Sequence, residues 1–225
     1  MPALVSRKPH AFPFVLLVLA APILAGCASS PSNIPQQPDL RIHGRVLFIP
    51  LRTAVKYYYD SPDGVEIAEA AGAAIRANAP QITALDYEKV RGLVRSTVMD
   101  ASVSDEQWKE IGSALAADYL VHGSIDNISW TDPEDPIMPR CIFTVSYAVF
   151  DVVAGADVYS VTKAGRYPYM LAGDRGVSVF EMGPEGLRVR AFLYIGQLIA
   201  RTFYAYHTDQ FEKDALSTTK HETHR

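Results

Sequence analysis

Reactive side chains are sparse in this 225-residue chain and stand apart from one another. Of its two cysteines, Cys27 follows Leu24-Ala25-Gly26 at the end of an apolar stretch, and Cys141 opens the strand-like run Arg140-Cys141-Ile142-Phe143. Cys141, in apolar company, is expected to be an inert, partly buried thiol. No Cys-x-x-Cys and no paired His-Cys spacing points to metal or redox chemistry. His122-Gly123-Ser124 sets an imidazole near a hydroxyl, but strand alternation is expected to keep them from acting as base and nucleophile. A Gly-x-Ser-x-Gly elbow, a phosphate-binding glycine loop and a His-Glu-x-x-His helix are all missing from the sequence. The expectation is a protein that is no enzyme and uses no cofactor; an enzyme of unrecognised type is the remotest alternative.

Three further clusters could bind something. Asp132, Glu134 and Asp135 offer hard oxygen ligands, yet Pro133 and Pro136 suit a solvated turn and no EF-hand glycine-and-glutamate pattern follows, so whether 132-135 takes a cation stays open. His221 and His224 lie in a polar tail, where fraying is expected rather than a metal site. Tyr57, Tyr58 and Tyr59 cannot all point into one core, so at least one faces outward, and aromatic side chains are enriched in recognition surfaces. They are the candidate partner-binding residues. Tyr167, Tyr169, Tyr204 and Tyr206 either extend that patch or belong to the core.

The segment before Cys27 explains why its thiol matters. Arg7 and Lys8 precede an apolar stretch over residues 11–25 that Pro13 and Pro22 interrupt, the layout of an export signal. At roughly 15 residues it falls short of the ~20 that a bilayer-spanning helix needs. Leu24-Ala25-Gly26-Cys27 resembles the bacterial lipobox. That resemblance implies a diacylglyceryl group on the Cys27 sulfur, cleavage before Cys27 and acylation of the freed amine, so residues 1–26 would be a signal peptide and palmitate a natural acyl chain. Each buried methylene contributes ~0.8 kcal/mol of membrane affinity, so such an anchor holds permanently. Ala28, not Asp, follows the cysteine, which under the familiar sorting rule implies an outer-membrane lipoprotein facing the periplasm; inner against outer membrane stays open.

Removing Arg7 and Lys8 with the leader leaves 19 basic against 25 acidic side chains, a net charge of −6, which argues against nucleic acid as a partner. Residues 27–40, rich in Ser, Pro, Gln and Asn, read as a lipidated flexible tether reaching at most ~45 Å. One domain follows over 41–208, and 209–225 reads as a polar disordered tail.

Inside the domain, the dense run from Gly44 to Leu51 predicts a central strand. Ser61-Pro62 announces a helix to Asn78 with Val65, Ala68, Gly72 and Ile75 as its stripe. A short strand over Gln81 to Leu85 precedes a helix capped by Asp86 that carries Val90, Leu93 and Val94. Ser104 and Gln107 form a capping box for a third helix, with Val103 and Trp108 as its staple and Ile111, Gly112 and Leu115 following. From Asp118 the period becomes two: a strand with Ile125 and Ile128, a strand from Cys141 to Val153 with Phe143, Val145, Tyr147 and Val149 on one face, and a third from Val158 to Tyr169. A helix from Leu187 to about His207 closes the domain along Phe192, Ile195, Ile199, Phe203 and Tyr206. The fold class expected is α/β: one domain, a mixed sheet of about five strands with helices packed on it, and an antiparallel meander in the second half.

Beside these elements, the run from Ile111 to Ile125 resembles the "lgadyvv-G-i" segment of envelope lipoproteins of the curli-secretion (CsgG) and penicillin-binding-protein-activator (LpoB) type, which share the fold of the TolB amino-terminal domain. Val46 to Leu51 looks like their "avlpf" opening, and Phe150 to Gly155 like their "l-D-x-x-t-G" hairpin, with Ala154 where Thr is usual. The similarity covers Leu40 to His207 and implies a TolB-like fold and a protein-binding role in the envelope. A curli-type pore subunit would need about 40 further residues for two membrane hairpins. The leading expectation is therefore an accessory or scaffold module docking other envelope proteins, in outer-membrane biogenesis, secretion or cell-wall machinery. An oligomeric component of a curli-type export channel is the alternative, and homo-oligomerisation is left open.

Overall fold

The structure, a computed structural model, describes residues 34–53, 61–88, 91–92, 103–134, 136–169 and 179–223. Its strands are β1 (Ile34–Gln36), β2 (Gly44–Phe48), β3 (Arg52–Thr53), β4 (Ile82–Ala84), β5 (Tyr119–Thr131), β6 (Pro139–Asp151), β7 (Ala156–Tyr167), β8 (Tyr206–Thr208) and β9 (Leu216–His221). Its helices are α1 (Pro62–Asn78), α2 (Asp105–Ala114), α3 (Val179–Ala200) and α4 (Gln210–Asp214). Among the described residues no helix is long and apolar enough to cross a membrane.

The sheet runs β4-β2-β5-β6-β7-β9, with β3 also paired to β5, and β1 and β8 form a separate ribbon. β2 is parallel to both β4 and β5, whereas β5, β6, β7 and β9 pair antiparallel. This is the expected mixed α/β domain with its second-half meander, on a larger sheet than five strands.

Alternation in β6 divides the layers. Phe143, Val145, Tyr147 and Val149 face the principal core, built with Ile67, Ala71 and Ile75 of α1 and Phe192, Ile195 and Ile199 of α3. A smaller cluster lies across the sheet, where Trp108 and Ile111 of α2 meet Leu47, Leu120 and Phe150. The Ser104–Gln107 capping box starts α2 as the spacing predicts. α1 is buried on more than the predicted stripe, because sheet and α3 cover two of its sides. The helix expected behind Asp86 carries Val90, Leu93 and Val94 on residues outside those described.

α3 is kinked near its start and meets α1 closely further on. Gly183 holds φ 65° and ψ 172°, a conformation costly for any residue with a Cβ, and Pro184 follows with its φ already helical. Further on, a Cβ at Gly196 would lie 2.5 Å from Ala70 Cβ and 2.8 Å from the Ala71 nitrogen and the Ile67 oxygen. The two helices therefore touch through backbone.

Three sequence expectations need correction. The last helix ends at Ala200 rather than near His207: Phe203 joins the principal core from a turn, and Tyr206 lies half-buried on β8. The stretch 209–225 is no disordered tail through His221. Asp209 caps α4 by accepting from the Glu212 nitrogen at 2.7 Å, and β9 pairs with β7 from Leu216 to His221. Polarity misleads there because an edge strand exposes most of its side chains. The flexible tether expected over 27–40 does not hold for residues 34–40, since Ile34 pairs with Thr208, the Leu40 nitrogen donates to the Thr202 oxygen, and Asp39 accepts from Tyr159 and Lys220.

Candidate functional site

Cys27, Leu24, Ala25, Gly26, Tyr57, Tyr58 and Tyr59 all lie outside the described residues. Asp135 and His224 lie outside them too, and the fold places the other candidates.

His122 and Ser124 are two residues apart on β5 and so share a face, correcting the expectation that alternation separates them. Their neighbours keep them from acting together. His122 Nε2 lies 2.9 Å from Asp157 Oδ1 and its ring stacks on Trp108 at 4.7 Å, while Ser124 Oγ donates to Asp126 Oδ1 at 2.6 Å. Asp126 also ends a polar row across four strands. Ser146 Oγ donates to Asp126 Oδ2, Thr162 Oγ1 lies 2.7 Å from Ser146 Oγ, and His221 Nε2 lies 2.8 Å from Thr162 Oγ1. A hydroxyl has one hydrogen, so Ser146 spends its own on Asp126, Thr162 must donate to Ser146, and His221 must donate to Thr162. His221 then donates into that row and is not placed as a base toward it.

The acidic loop is neutralised by arginine. Asp132, buried, takes Arg140 Nη1 at 2.8 Å and the Glu134 nitrogen at 2.9 Å, and Glu134 lies 3.9 Å from Arg166. Asp135 falls outside the described residues. Among the described residues no three His, Cys, Asp or Glu side chains gather as a metal site. Cys141 is fully rather than partly buried, and desolvation pushes its thiol up to about 12, so almost none of it is thiolate at neutral pH. Tyr167 and Tyr169 pack against the Tyr194 ring, and Arg201 lies over the Tyr206 ring; these tyrosines serve packing.

A recess lies where α1 meets α3. A groove of about 790 Å³ is floored by Ala70, Ala73 and Phe192, walled by Val189 and Leu193, and rimmed by Glu66, Glu69 and Asp86 with Arg76. Val189 and Leu193, one helical turn apart, are 42% and 48% exposed, an unusual display of large aliphatic surface. Arg188 fixes the rim: its guanidinium reaches Asp63 at 3.2 Å, Glu66 at 2.9 Å and Glu185 at 3.1 Å, and it sits over the Phe192 ring. Helical spacing read from Leu187 onward assigns Phe192 to the core, but that Val189 and Leu193 border a recess depends on where α1 lies. Chemically the groove offers shape, apolar area and an acidic edge, which is the equipment for binding rather than for bond breaking.

No protein-family model matches this chain, and no curated protein matches it. Among solved structures the chain is similar to the PelC dodecamer from Paraburkholderia phytofirmans, at 13% identity and a TM-score of 0.43 over 75% of this chain and 94% of that one. It is similar to the LpoB C-terminal domain from Escherichia coli at 14% identity and a TM-score of 0.37, over 53% and 80% of the two chains. Lipoprotein GNA1162 from Neisseria meningitidis overlaps at 11% identity and a TM-score of 0.41, over 71% and 99%. The penicillin-binding-protein-activator type of the sequence resemblance is thus among the structures this chain is similar to, at an overlap too loose to carry an argument about what it does.

Proposed function

We propose that this chain is a lipid-anchored protein of the bacterial envelope, released from its leader before Cys27, whose domain docks another envelope protein in the α1–α3 groove. The observation that carries the reading is the Leu24-Ala25-Gly26-Cys27 motif behind a basic, apolar leader, seven residues ahead of β1. A thioether-linked lipid there fixes the domain's working place. The groove supplies a reason to be there: its apolar walls suit a hydrophobic anchor residue, and with Glu66 paired to Arg188 its rim still sets Glu69 and Asp86 against Arg76, favouring a partner segment with basic flanks. Catalysis has no comparable support.

A paired experiment tests both halves. Cells given labelled palmitate should incorporate it into the wild-type protein and not into Cys27→Ala, which should leave the membrane fraction. Crosslinking in intact cells should trap an envelope protein on wild type and lose it with Leu193→Glu. An unlabelled wild-type protein would remove the anchor, and an unchanged crosslink pattern in Leu193→Glu would remove the groove.

A further inference from the structure

Which way a tethered domain faces its membrane depends on how long the tether is and where it joins the fold. Seven residue steps separate Cys27 from Ile34, so the lipid-bearing sulfur lies within about 25 Å of β1 even at full extension. 

β6 alone, 13 residues long, runs about 40 Å from one end of the sheet to the other. A leash of about 25 Å is shorter than that span, so the domain cannot stand on the end of the sheet opposite to the side where the chain joins it.

That side can be named. Ile34 pairs with Thr208, whose hydroxyl donates at 2.8 Å to Glu212 of α4, so the tether arrives beside α4. α4 leads into β9 at Leu216, opposite Gly165 near the end of β7, and the next strand, β6, begins at this same end of the sheet, just after the loop that holds Ile137. Residues 132–134 of that loop and 214–217 of the α4–β9 junction line one shallow recess of about 640 Å³. Among the described residues, Phe211 at 53% exposure and Ile137 at 83% present large apolar side chains at this end, and Trp130, beside Thr131 at the end of β5, is 39% exposed. Val153, as exposed as Ile137, caps the opposite end beyond the 13 residues of β6, about 40 Å away.

On the reading that Cys27 carries lipid, we infer that the sheet end bearing Phe211 and Ile137 is the face this domain lays against the membrane, with both side chains entering the headgroup region. The occupant is a lipid surface because the anchor cannot place that end far from one. Lys213 and Arg166 are offset there by Asp209, Asp214 and Glu134, so attraction to anionic lipid contributes little and contact rests on apolar area. The Val153 turn, with Lys109 of α2 close to Gly155, is left facing the aqueous side.

The test uses the full-length lipidated protein in phosphatidylcholine vesicles, with an environment-sensitive fluorophore at Phe211→Cys, Ile137→Cys or Val153→Cys in turn. Buried Cys141 stays unlabelled. Spin-labelled lipid should quench the fluorophores at 211 and 137 about fivefold more than the one at 153, with no change on adding phosphatidylglycerol or salt. Equal quenching at all three positions, or iodide reaching 211 and 137 as freely as in the lipid-free domain, would overturn the orientation. Mass analysis of the same samples separates the two claims: an unmodified Cys27 defeats the anchor and the inference with it, whereas a lipidated Cys27 with fluorophores in water defeats the inference alone.

Discussion

Replacing Lys163 with methionine should make this protein more stable at neutral pH. Lys163 is buried on the inner face of β7, where its Nζ donates to the Leu198 oxygen at 2.9 Å near the end of α3 and sits 5.8 Å from the centre of the Tyr147 ring. Desolvation lowers its pKa from 10.5 to about 8; Asp39 opposes that shift, and Arg201 and Lys220 add to it. A lysine held below its unfolded value binds fewer protons folded than unfolded, so its cost is full below pH 8 and fades as pH rises toward 10.5. The depression corresponds to roughly 3 kcal/mol of penalty at pH 7, of which about 2 kcal/mol is recovered by pH 9.5. Methionine removes the charge, keeps the length of the side chain and forfeits one hydrogen bond worth about 1 kcal/mol. Lys163→Met should therefore gain about 2 kcal/mol in urea unfolding at pH 7 and close to nothing at pH 9.5. A variant less stable than wild type at pH 7, or a difference that stays constant between the two pH values, would refute the reasoning.

Other substitutions probe other joints. Gly196→Ala should cost about 1–3 kcal/mol, read as a lowered thermal midpoint, because the new methyl meets the backbone of Ile67 and Ala71 rather than a yielding side chain. Arg140→Met takes the counter-charge from buried Asp132 and should cost about 3–5 kcal/mol in urea, most of it regained in Arg140→Met/Asp132→Leu; a loss below about 1 kcal/mol would contradict the ion pair's role. Cys141 should ignore Ellman's reagent at pH 8 in the folded domain and react within minutes in urea, since burial holds its thiol up to about 12. Exchanging Ser146 or His221 for alanine should change stability by under about 1 kcal/mol, as expected for exposed hydrogen bonds.

Local rules made much of the fold legible. Ser104 and Gln107 announce α2 because a capping box is written within four residues, and Phe143, Val145, Tyr147 and Val149 announce β6 because the sheet buries one face of it. What escaped depends on partners distant in sequence. Nothing around Leu216-Ser217-Thr218-Thr219-Lys220-His221 marks a strand, since β9 is an edge whose side chains stay in water and whose order comes from pairing with β7. Ile34-Pro35-Gln36 reads as tether until β8 lies beside it. The same holds for the binding surface: Val189 and Leu193 follow the helical pattern, and only the approach of α1 at Gly196 turns them into the wall of a groove. The processing motif at Cys27 is legible without a fold, because the enzymes that would read it act on extended chain.

The account rests on that motif, and the mass of the protein's native amino terminus, extracted from bacterial membranes, tests it most directly. The predicted result is a mature chain that begins at Cys27 and carries the added mass of a diacylglyceryl group, with or without an amide-linked acyl chain. A chain that retains Met1 to Gly26, or one that begins near Cys27 with an unmodified thiol, would contradict it.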